Sequence, residues 1–159
     1  MTCNQAQLVA LLEAEDLQYY LIPNREGVML TFTGSGHLFQ FKIYIELDQR
    51  FVQFKSVNFL ACPMDHPNLL TTLKVLGEAN FRLRLMKFGW DPTDGEIAAY
   101  ADIWLMDAEF TEEQFGRSIR AYMSILDDEY PKFKAAIDAG TSSGGAGDEG
   151  DDDSTIDAI

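Results

Sequence analysis

Three short stretches of this 159-residue sequence hold residue types that could carry chemistry, and the first is rich in glycine. Gly34-Ser35-Gly36-His37 has the small residues that a phosphate-binding loop uses. A P-loop, however, needs a longer glycine-spaced segment that ends in Lys and Ser or Thr. Glycines around a serine, between two strand-like runs, are typical of a tight turn. We therefore interpret this stretch as a hairpin turn.

The second stretch places Cys62, Asp65 and His66 close together. Zinc sites in proteins are built from clustered cysteine and histidine ligands. His37 is the only other histidine, and its spacing to His66 fits no pair of ligands on a helix. The sequence therefore predicts no metal site.

The third stretch crowds Asp91, Asp94 and Glu96 into one short segment, and Ca²⁺ prefers such carboxylate oxygens. An EF-hand loop must supply a ligand from its first position, where this sequence has Trp90. Aspartates also favour turns because they bond to the nearby backbone, while Gly95 supplies a positive φ. We interpret this segment as the turn of a second hairpin.

The rest of the sequence contains no recognisable catalytic motif. Its two cysteines, Cys3 and Cys62, are too few for a disulfide framework. The first twenty residues lack the basic start and apolar core of a signal peptide, and no segment has the roughly 20 apolar residues that span a bilayer. We therefore expect a cytoplasmic protein that is not an enzyme, holds no cofactor and does not enter a membrane.

The charge balance excludes further classes of partner. The chain has 12 basic and 26 acidic residues, a formal charge of −14. Nucleic-acid binding depends on Lys and Arg that displace counterions, so we expect no nucleic-acid partner. The last segment, 140–159, holds six of the acids and no base, and its composition predicts a disordered acidic tail. Residues 1–139, the predicted single domain, keep 20 acids against 12 bases, or −8.

Apolar spacing and turn signals predict that this domain is α+β, with an antiparallel sheet and helices packed on one face. Its order is α-β-β-β-β-α-β-β-α-α. The short connections force antiparallel neighbours, because parallel strands need a long crossover. The predicted helices begin near Asn4, Pro67, Thr111 and Tyr130, with a capping box from Thr111 to Gln114; the predicted strands cover 18–22, 28–33, 38–47, 51–60, 82–90 and 96–105.

Alternation along the strands predicts an unusual second face of the sheet. Side chains point to opposite faces in turn, and helices on one face would leave a polar face for water. Here the second face keeps aromatic residues, and exposed apolar patches mark interaction sites. We predict that Phe88, Trp90, Tyr100 and Trp104 form a protein-binding surface. The alternative is that a late helix folds across that face.

Several segments together resemble the YbjN family of bacterial sensory transduction regulators, whose fold is similar to that of type III secretion chaperones. The resemblance covers about residues 5–137 and leaves out the tail. It implies an α+β domain with a non-enzymatic binding or regulatory role; chaperones of that fold are small acidic homodimers that hold an extended client segment. The resembling segments are Leu69 to Asn80, Lys87-Phe88-Gly89-Trp90-Asp91, Asp94-Gly95-Glu96-Ile97, the box at Thr111 and Asp127-Asp128-Glu129-Tyr130-Pro131.

Besides a purely structural subunit of a larger assembly, whose apolar patch would always be covered, two functional hypotheses follow. The first is a protein-binding module, a chaperone-like or regulatory adaptor that buries part of a partner on its sheet or helix surface and forms a homodimer. A basic segment of the partner would be steered by the acidic domain. The second is a small-molecule binder or enzyme with a pocket between sheet and helices, which convergent polar groups with shifted pKa values would reveal.

Overall fold

The computed structural model describes residues 3–46, 49–105 and 108–139, which form one antiparallel sheet and three helices. The predicted α+β class is confirmed. The predicted strand end at Leu47 and the predicted tail, 140–159, lie outside the described residues. The elements are α1 (Gln5–Ala14), β1 (Tyr20–Leu21), β2 (Gly27–Thr33), β3 (Leu38–Glu46), β4 (Phe51–Val57), β5 (Leu60–Ala61), α2 (Leu69–Arg82), β6 (Lys87–Trp90), β7 (Glu96–Trp104) and α3 (Glu112–Asp138).

Strands β1 to β4 form the predicted antiparallel meander, and β7 lies beside β4. Lys55 of β4 and Lys87 of β6 both pair with Tyr100 of β7, so β4 and β6 lie on opposite sides of β7. The short β5 pairs with Ile97 of β7, while Trp90 of β6 pairs with the same residue from the other side. Strand β7 therefore joins the meander to the second hairpin.

Helices cover one face of the sheet, which we call the inner face; the opposite face is the outer face. Alternate strand residues point inward and are buried, as the two-residue period of a strand requires. The rings of Phe41 and Phe54 lie 5.2 and 5.4 Å from the ring of Tyr122 on α3. Leu8 and Leu12 of α1 complete this core. The predicted packing of helices on one face is confirmed.

The ends of the helices follow their capping residues. The predicted capping box of α3 is present between Thr111 and Gln114, and Asn4 caps α1 in the same way. Helix α2 begins at Leu69, so Pro67 lies in the turn before it and not at the first helical position. Within the described residues, no helix combines the length and apolar character needed to cross a bilayer.

Several predicted boundaries moved, although the order of elements matches. The strand predicted over 82–90 begins only at Lys87, because Arg82 still belongs to α2. The predicted strand 51–60 is divided into β4 and β5 at Asn58, whose φ of 50° is left-handed and breaks the extended run. The predicted last helix is continuous with α3, which runs through Pro131. Proline removes one helical hydrogen bond, but buried Leu126 and Phe133 on either side of it share one face, and their burial holds the helix together.

Candidate functional site

The four residues of the predicted protein-binding surface lie on two different faces. Phe88 pairs with Ala99 on the inner face and is only 2% exposed, with its ring 4.7 Å from that of Phe133. Trp90 is also on the inner face, where its Nε1 donates to the carbonyl of Cys62 at 2.8 Å. Phe88 and Trp90 therefore belong to the core side of the sheet, which corrects their predicted placement.

The register of β6 is the physical reason for this correction. The sequence places Phe88 and Trp90 on one side of a strand, but it does not say which face that side joins. Pairing of β6 with β7 opposes Phe88 to Ala99 and Trp90 to Ile97, and residues directly opposite each other share a face. Ala99 and Ile97 are fully buried beneath the helices.

Tyr100 and Trp104 lie on the outer face, as predicted, and no helix within the described residues covers them. Trp104 is 59% exposed, and its ring lies 4.8 Å from that of Phe51, its cross-strand partner. The Lys55 ammonium lies 5.4 Å from the centre of the Tyr100 ring and 4.0 Å from the Glu96 carboxylate. The outer face therefore combines an aromatic pair whose tryptophan is exposed with a cation beside Tyr100, farther along the same two strands.

The electrostatics of Lys55 favour its charged form. Partial burial lowers its pKa, but the hydrogen bond and charge interaction with Tyr100, together with Glu96, raise the pKa above the ordinary value. The ammonium therefore stays protonated at neutral pH. On this face it supplies a positive charge within a chain of strongly negative net charge.

The edge of β7 beside Trp104 has no strand partner within the described residues. Strand β6 begins at Lys87, opposite Tyr100, so it leaves residues 101–104 of β7 without a strand partner on that side. The N–H of Leu105 donates to the carbonyl of Arg50, on the other side. Because backbone groups alternate along a strand, the N–H and C=O groups of Asp102 and Trp104 point to the open side.

A groove of about 450 Å³ follows this open edge. Its apolar wall includes Leu85, Ile103 and Phe110, with Trp104 at the outer face, and Arg117 adds a cation that is paired with Glu113 at 2.6 Å. We call Leu85, Asp102, Ile103, Trp104 and Phe110 the edge groove. Sequence analysis missed Leu85 and Phe110, because only the fold brings the segment after α2 and the start of α3 to the end of β7.

The acidic stretch that could have carried chemistry instead stabilises the backbone of a turn. The carboxylate of Asp91 accepts from the Thr93 N–H at 2.8 Å, and that of Asp94 accepts from the Glu96 N–H at 2.9 Å. The bond from Thr93 also lowers the pKa of Asp91. At Gly95, φ is 79°, and a side chain would collide with the Cys62 backbone at 2.7 Å. The predicted hairpin turn explains these residues.

The other two stretches are structural in the same way. The N–H and hydroxyl of Ser35 donate to the Asp127 carboxylate of α3 at 2.7 and 2.8 Å, which fixes the first hairpin against the helix. His66 accepts at Nδ1 from the Asn68 N–H at 3.2 Å. Among the described residues, no three His, Cys, Asp or Glu side chains are grouped so that they could hold a metal ion.

A second groove, of about 610 Å³, lies between α1 and the start of α3 and tests the small-molecule hypothesis. Cys3 lines this groove and carries a thiol, which is a potential nucleophile. Burial, and then the charge of Glu26, raise the pKa of this thiol to about 11. The thiolate is the reactive form of cysteine, and the raised pKa favours the thiol form of Cys3 at neutral pH. The groove also contains Glu109, Glu112 and Glu113, which are exposed.

The fold first defines the class of this protein, an α+β domain with one layer of helices on an antiparallel sheet. A family model, "YbjN: Putative bacterial sensory transduction regulator", matches residues 4–135. The chain therefore belongs to the YbjN family, and the predicted resemblance is confirmed. The family description is that of a regulator and not of an enzyme.

A solved structure supports the fold. The chain is similar to the protein titled "Crystal structure of YbjN, a putative transcription regulator from E. coli", with a TM-score of 0.64 and 14% sequence identity. The similarity covers 85% of this chain and 94% of that one. At this identity the likeness shows the fold alone. A comparison with curated proteins finds no match.

Proposed function

We propose that this chain is a non-enzymatic regulatory module that binds an extended segment of a partner protein in the edge groove. The observation that carries the proposal is the edge of β7 at Asp102 and Trp104, which has no strand partner within the described residues. An extended peptide can add to such an edge as a further strand, with main-chain hydrogen bonds for affinity and pockets for alternate side chains. The edge groove supplies both parts.

The apolar wall defines the chemistry of the segment. Side chains at every second position of an added strand would point toward the inner-face side of the groove, where Ile103 and Phe110 lie. Residues between them would face Trp104. Exposed tryptophan is enriched among the residues that dominate binding energy at interfaces. We therefore propose a segment with apolar residues at alternate positions.

The charge of the chain defines what flanks the segment. Asp102 and Glu109 line the groove, and Arg117 is already paired with Glu113. The domain of residues 1–139 carries −8. Basic residues on either side of the apolar positions would be attracted by this field, and the attraction would weaken with salt because the screening length is about 10 Å at 0.1 M. The same field disfavours direct contact with DNA, so we propose a regulator that acts through protein contacts.

The test begins with peptides selected from a random display library on the immobilised chain and measured in solution by fluorescence anisotropy. We expect their affinity to fall about tenfold or more in Trp104→Ser, a loss typical of an interface hot spot. Leu38→Ser is the matched control, because Leu38 is also exposed on the outer face but lies on β3. Equal binding by both variants and the parent chain would contradict the proposal.

A second measurement distinguishes strand addition from simple apolar contact. Methylation of a peptide nitrogen removes one backbone donor. In an added strand only alternate nitrogens face β7, so methylation at every second position should abolish binding while methylation between them should not. A selected peptide whose affinity changes equally with methylation at either set of nitrogens would bind the groove without extending the sheet.

A further inference from the structure

The end of α2 carries a positive charge that the rest of this acidic chain does not. Residues 82–87 hold three bases and no acid, and the side chains of Arg82, Arg84 and Lys87 are exposed. The Lys87 ammonium donates to two backbone carbonyls at the end of α2, at 2.8 and 2.6 Å. These bonds hold the third cation at the same end of the helix as the other two.

A fourth cation joins this group from α3. The side chains of Arg82 and Lys132 bind the carboxylate of Glu129, at 3.1 and 2.7 Å. The Glu129 side chain is only 3% exposed, whereas those of Arg82 and Lys132 are 54% and 50% exposed. Solvent therefore meets the two cations and not the carboxylate that joins them. We call Arg82, Arg84, Lys87 and Lys132 the basic surface.

The basic surface keeps an excess of positive charge. Its four cations stand against two acids, Glu129 and the exposed Glu78 one turn before Arg82, which leaves a local charge of +2. Within the described residues, Arg84 and Lys87 have no carboxylate partner. Residues 1–139 as a whole carry −8. A strongly acidic segment is therefore attracted to this surface and repelled by most of the domain.

The segment 140–159 has the complementary charge and starts at a suitable place. It holds no base, and five of its acids lie within residues 148–153, which we call the acidic run. The last described residue, Ala139, lies beside the start of α2, because the Asn68 amide donates to its carbonyl and to that of Ile137. The basic surface lies at the other end of α2, which is about 21 Å long for its 14 residues.

The length of chain before the acidic run fits this distance. Residues 140–147 consist only of glycine, serine, threonine and alanine. The nine residues from Ala139 to Asp148 reach at most about 30 Å when fully extended, and a Gly/Ser-rich linker of that length spans about 15–18 Å on average. Tethering over such a span gives an effective concentration in the millimolar range. The chain's own acidic run therefore has an advantage over an acidic segment of another molecule.

We propose that the acidic run of this chain binds the basic surface of the same molecule. Its carboxylates pair with Arg84 and Lys87 and approach Arg82 and Lys132 from the solvent side. Ile156, three residues after the run, then comes within reach of Phe81, which directly precedes Arg82 and is 95% exposed. The bound segment would offset the local charge of the surface and shield this exposed ring from water.

This contact goes beyond the edge groove and does not depend on it. Within the described residues, none of the four cations lines that groove. The contact is also present without a peptide, so it can be measured on the chain by itself. Because it is electrostatic, it should weaken with salt, as the screening length is about 10 Å at 0.1 M.

Paramagnetic broadening of NMR signals in the full chain tests the proposal. A nitroxide label is attached at Ser154→Cys, next to the acidic run. The native thiols of Cys3 and Cys62 are 1% and 0% exposed and are therefore protected from the label. Compared with the same chain after reduction of the label, we expect the amide signals of residues 81–87 to lose most of their intensity. The signals of β2, near the opposite edge of the sheet, should keep theirs.

Charge variants of the labelled chain assign the effect. Asp151→Asn, Asp152→Asn and Asp153→Asn together change only the acidic run and should restore most of the signal of residues 81–87. Arg84→Gln with Lys87→Gln should do the same from the other side. Lys42→Gln is the matched control, because Lys42 lies on β3, away from α2. If Lys42→Gln restores the signals as much as the Arg84 and Lys87 variant does, the attraction is diffuse and the proposal fails.

A mixed sample shows which molecule supplies the bound segment. It combines spin-labelled chain at natural isotope abundance with isotopically enriched chain that carries no spin label. We expect no broadening in this sample. Broadening of residues 81–87 in the mixture would assign the basic surface to the acidic run of a second copy, and a lack of broadening in the enriched, spin-labelled chain would show that the run does not bind there. Either result would overturn the proposal.

Discussion

The side-chain amide of Asn80 pairs with both backbone polar groups of Phe88. Its Nδ2 donates to the Phe88 carbonyl at 2.8 Å, and its Oδ1 accepts from the Phe88 N–H at 2.8 Å. The Asn80 amide thus satisfies backbone groups on the edge of β6 that faces away from β7, where a neighbouring strand could otherwise add. Within the described residues this side of the sheet is occupied at Phe88 of β6 and unpaired at Asp102 and Trp104 of β7, so the proposed strand addition would take place at the edge groove.

Asn80→Asp should destabilise the protein by roughly 1–3 kcal/mol, since it keeps the shape of the side chain but removes a donor. The lost Nδ2 would leave a carboxylate oxygen facing the Phe88 carbonyl. Urea denaturation measures the free energy of unfolding. Thr71→Ser, on an exposed part of the same helix, is the control and should stay within about 0.5 kcal/mol of the parent. An equal effect of the two substitutions would contradict the assigned role of Asn80.

Phe88 and Trp104 should respond very differently to truncation. Phe88→Ala removes a fully packed ring of the inner face and should cost about 3–5 kcal/mol. Trp104→Ala removes an exposed ring whose described ring contact is with Phe51, so we expect a cost of at most about 1 kcal/mol. Thermal and urea unfolding of both variants compare these costs. If Trp104→Ala proves as damaging as Phe88→Ala, Trp104 is structural and the edge groove loses its main residue.

Ser56→Ala should be costly for so small a change. The pairing of β4 with β7 ends at Lys55. Beyond it, the Ala99 N–H donates to the Ser56 hydroxyl at 2.8 Å. The Tyr122 hydroxyl donates to the Ala99 carbonyl at 2.9 Å. Either Ser56→Ala or Tyr122→Phe leaves a buried backbone group unpaired, at about 1–3 kcal/mol.

A double-mutant cycle checks this arrangement. Ser56 and Tyr122 also interact with each other, and their bond opposes the effect of burial, which raises the pKa of Tyr122. Residues in one hydrogen-bond network are not additive, so the double variant should differ from the sum of the single ones by about 0.5 kcal/mol or more. Full additivity would show that the two hydroxyl groups act independently.

Glu129→Gln should lower stability at neutral pH and much less in acid. Burial raises the pKa of Glu129. Hydrogen bonds from Arg82, at 3.1 Å to each oxygen, and from Lys132, at 2.7 Å, have the opposite and larger effect, so the pKa lies below its ordinary value of 4.5. A carboxyl whose folded pKa is depressed stabilises the protein above its unfolded pKa, and this contribution is lost as pH falls through the folded pKa.

We therefore expect the difference in unfolding free energy between the parent chain and Glu129→Gln to be about 1–3 kcal/mol at pH 7 and to shrink below pH 4.5. Urea unfolding at several pH values measures it. Lys134→Gln is the control, because its partner Asp138 is exposed at the end of α3 and surface pairs contribute little. A difference that does not depend on pH would contradict the assigned role of the carboxylate.

Local patterns in the sequence determine most elements of this fold. The capping boxes at Asn4 and Thr111 need residues only three positions apart, and the turn at Gly95 needs a positive φ that a single residue provides. Strand alternation likewise identifies which residues share a side. These features depend on short-range sterics and hydrogen bonds, so the antiparallel order and the family resemblance were both accessible without coordinates.

Only the tertiary structure decides which side of each strand faces the helices. Phe88 and Trp104 have similar apolar character, yet pairing of β6 with β7 buries the first and leaves the second exposed. Within the described residues the unpaired edge at Asp102 arises because β6 starts at Lys87, and Phe110 reaches the groove from the segment before α3. The hairpin itself is local, but the face that the helices cover and the walls of the groove depend on contacts between residues far apart in the chain, about which local propensity carries no information.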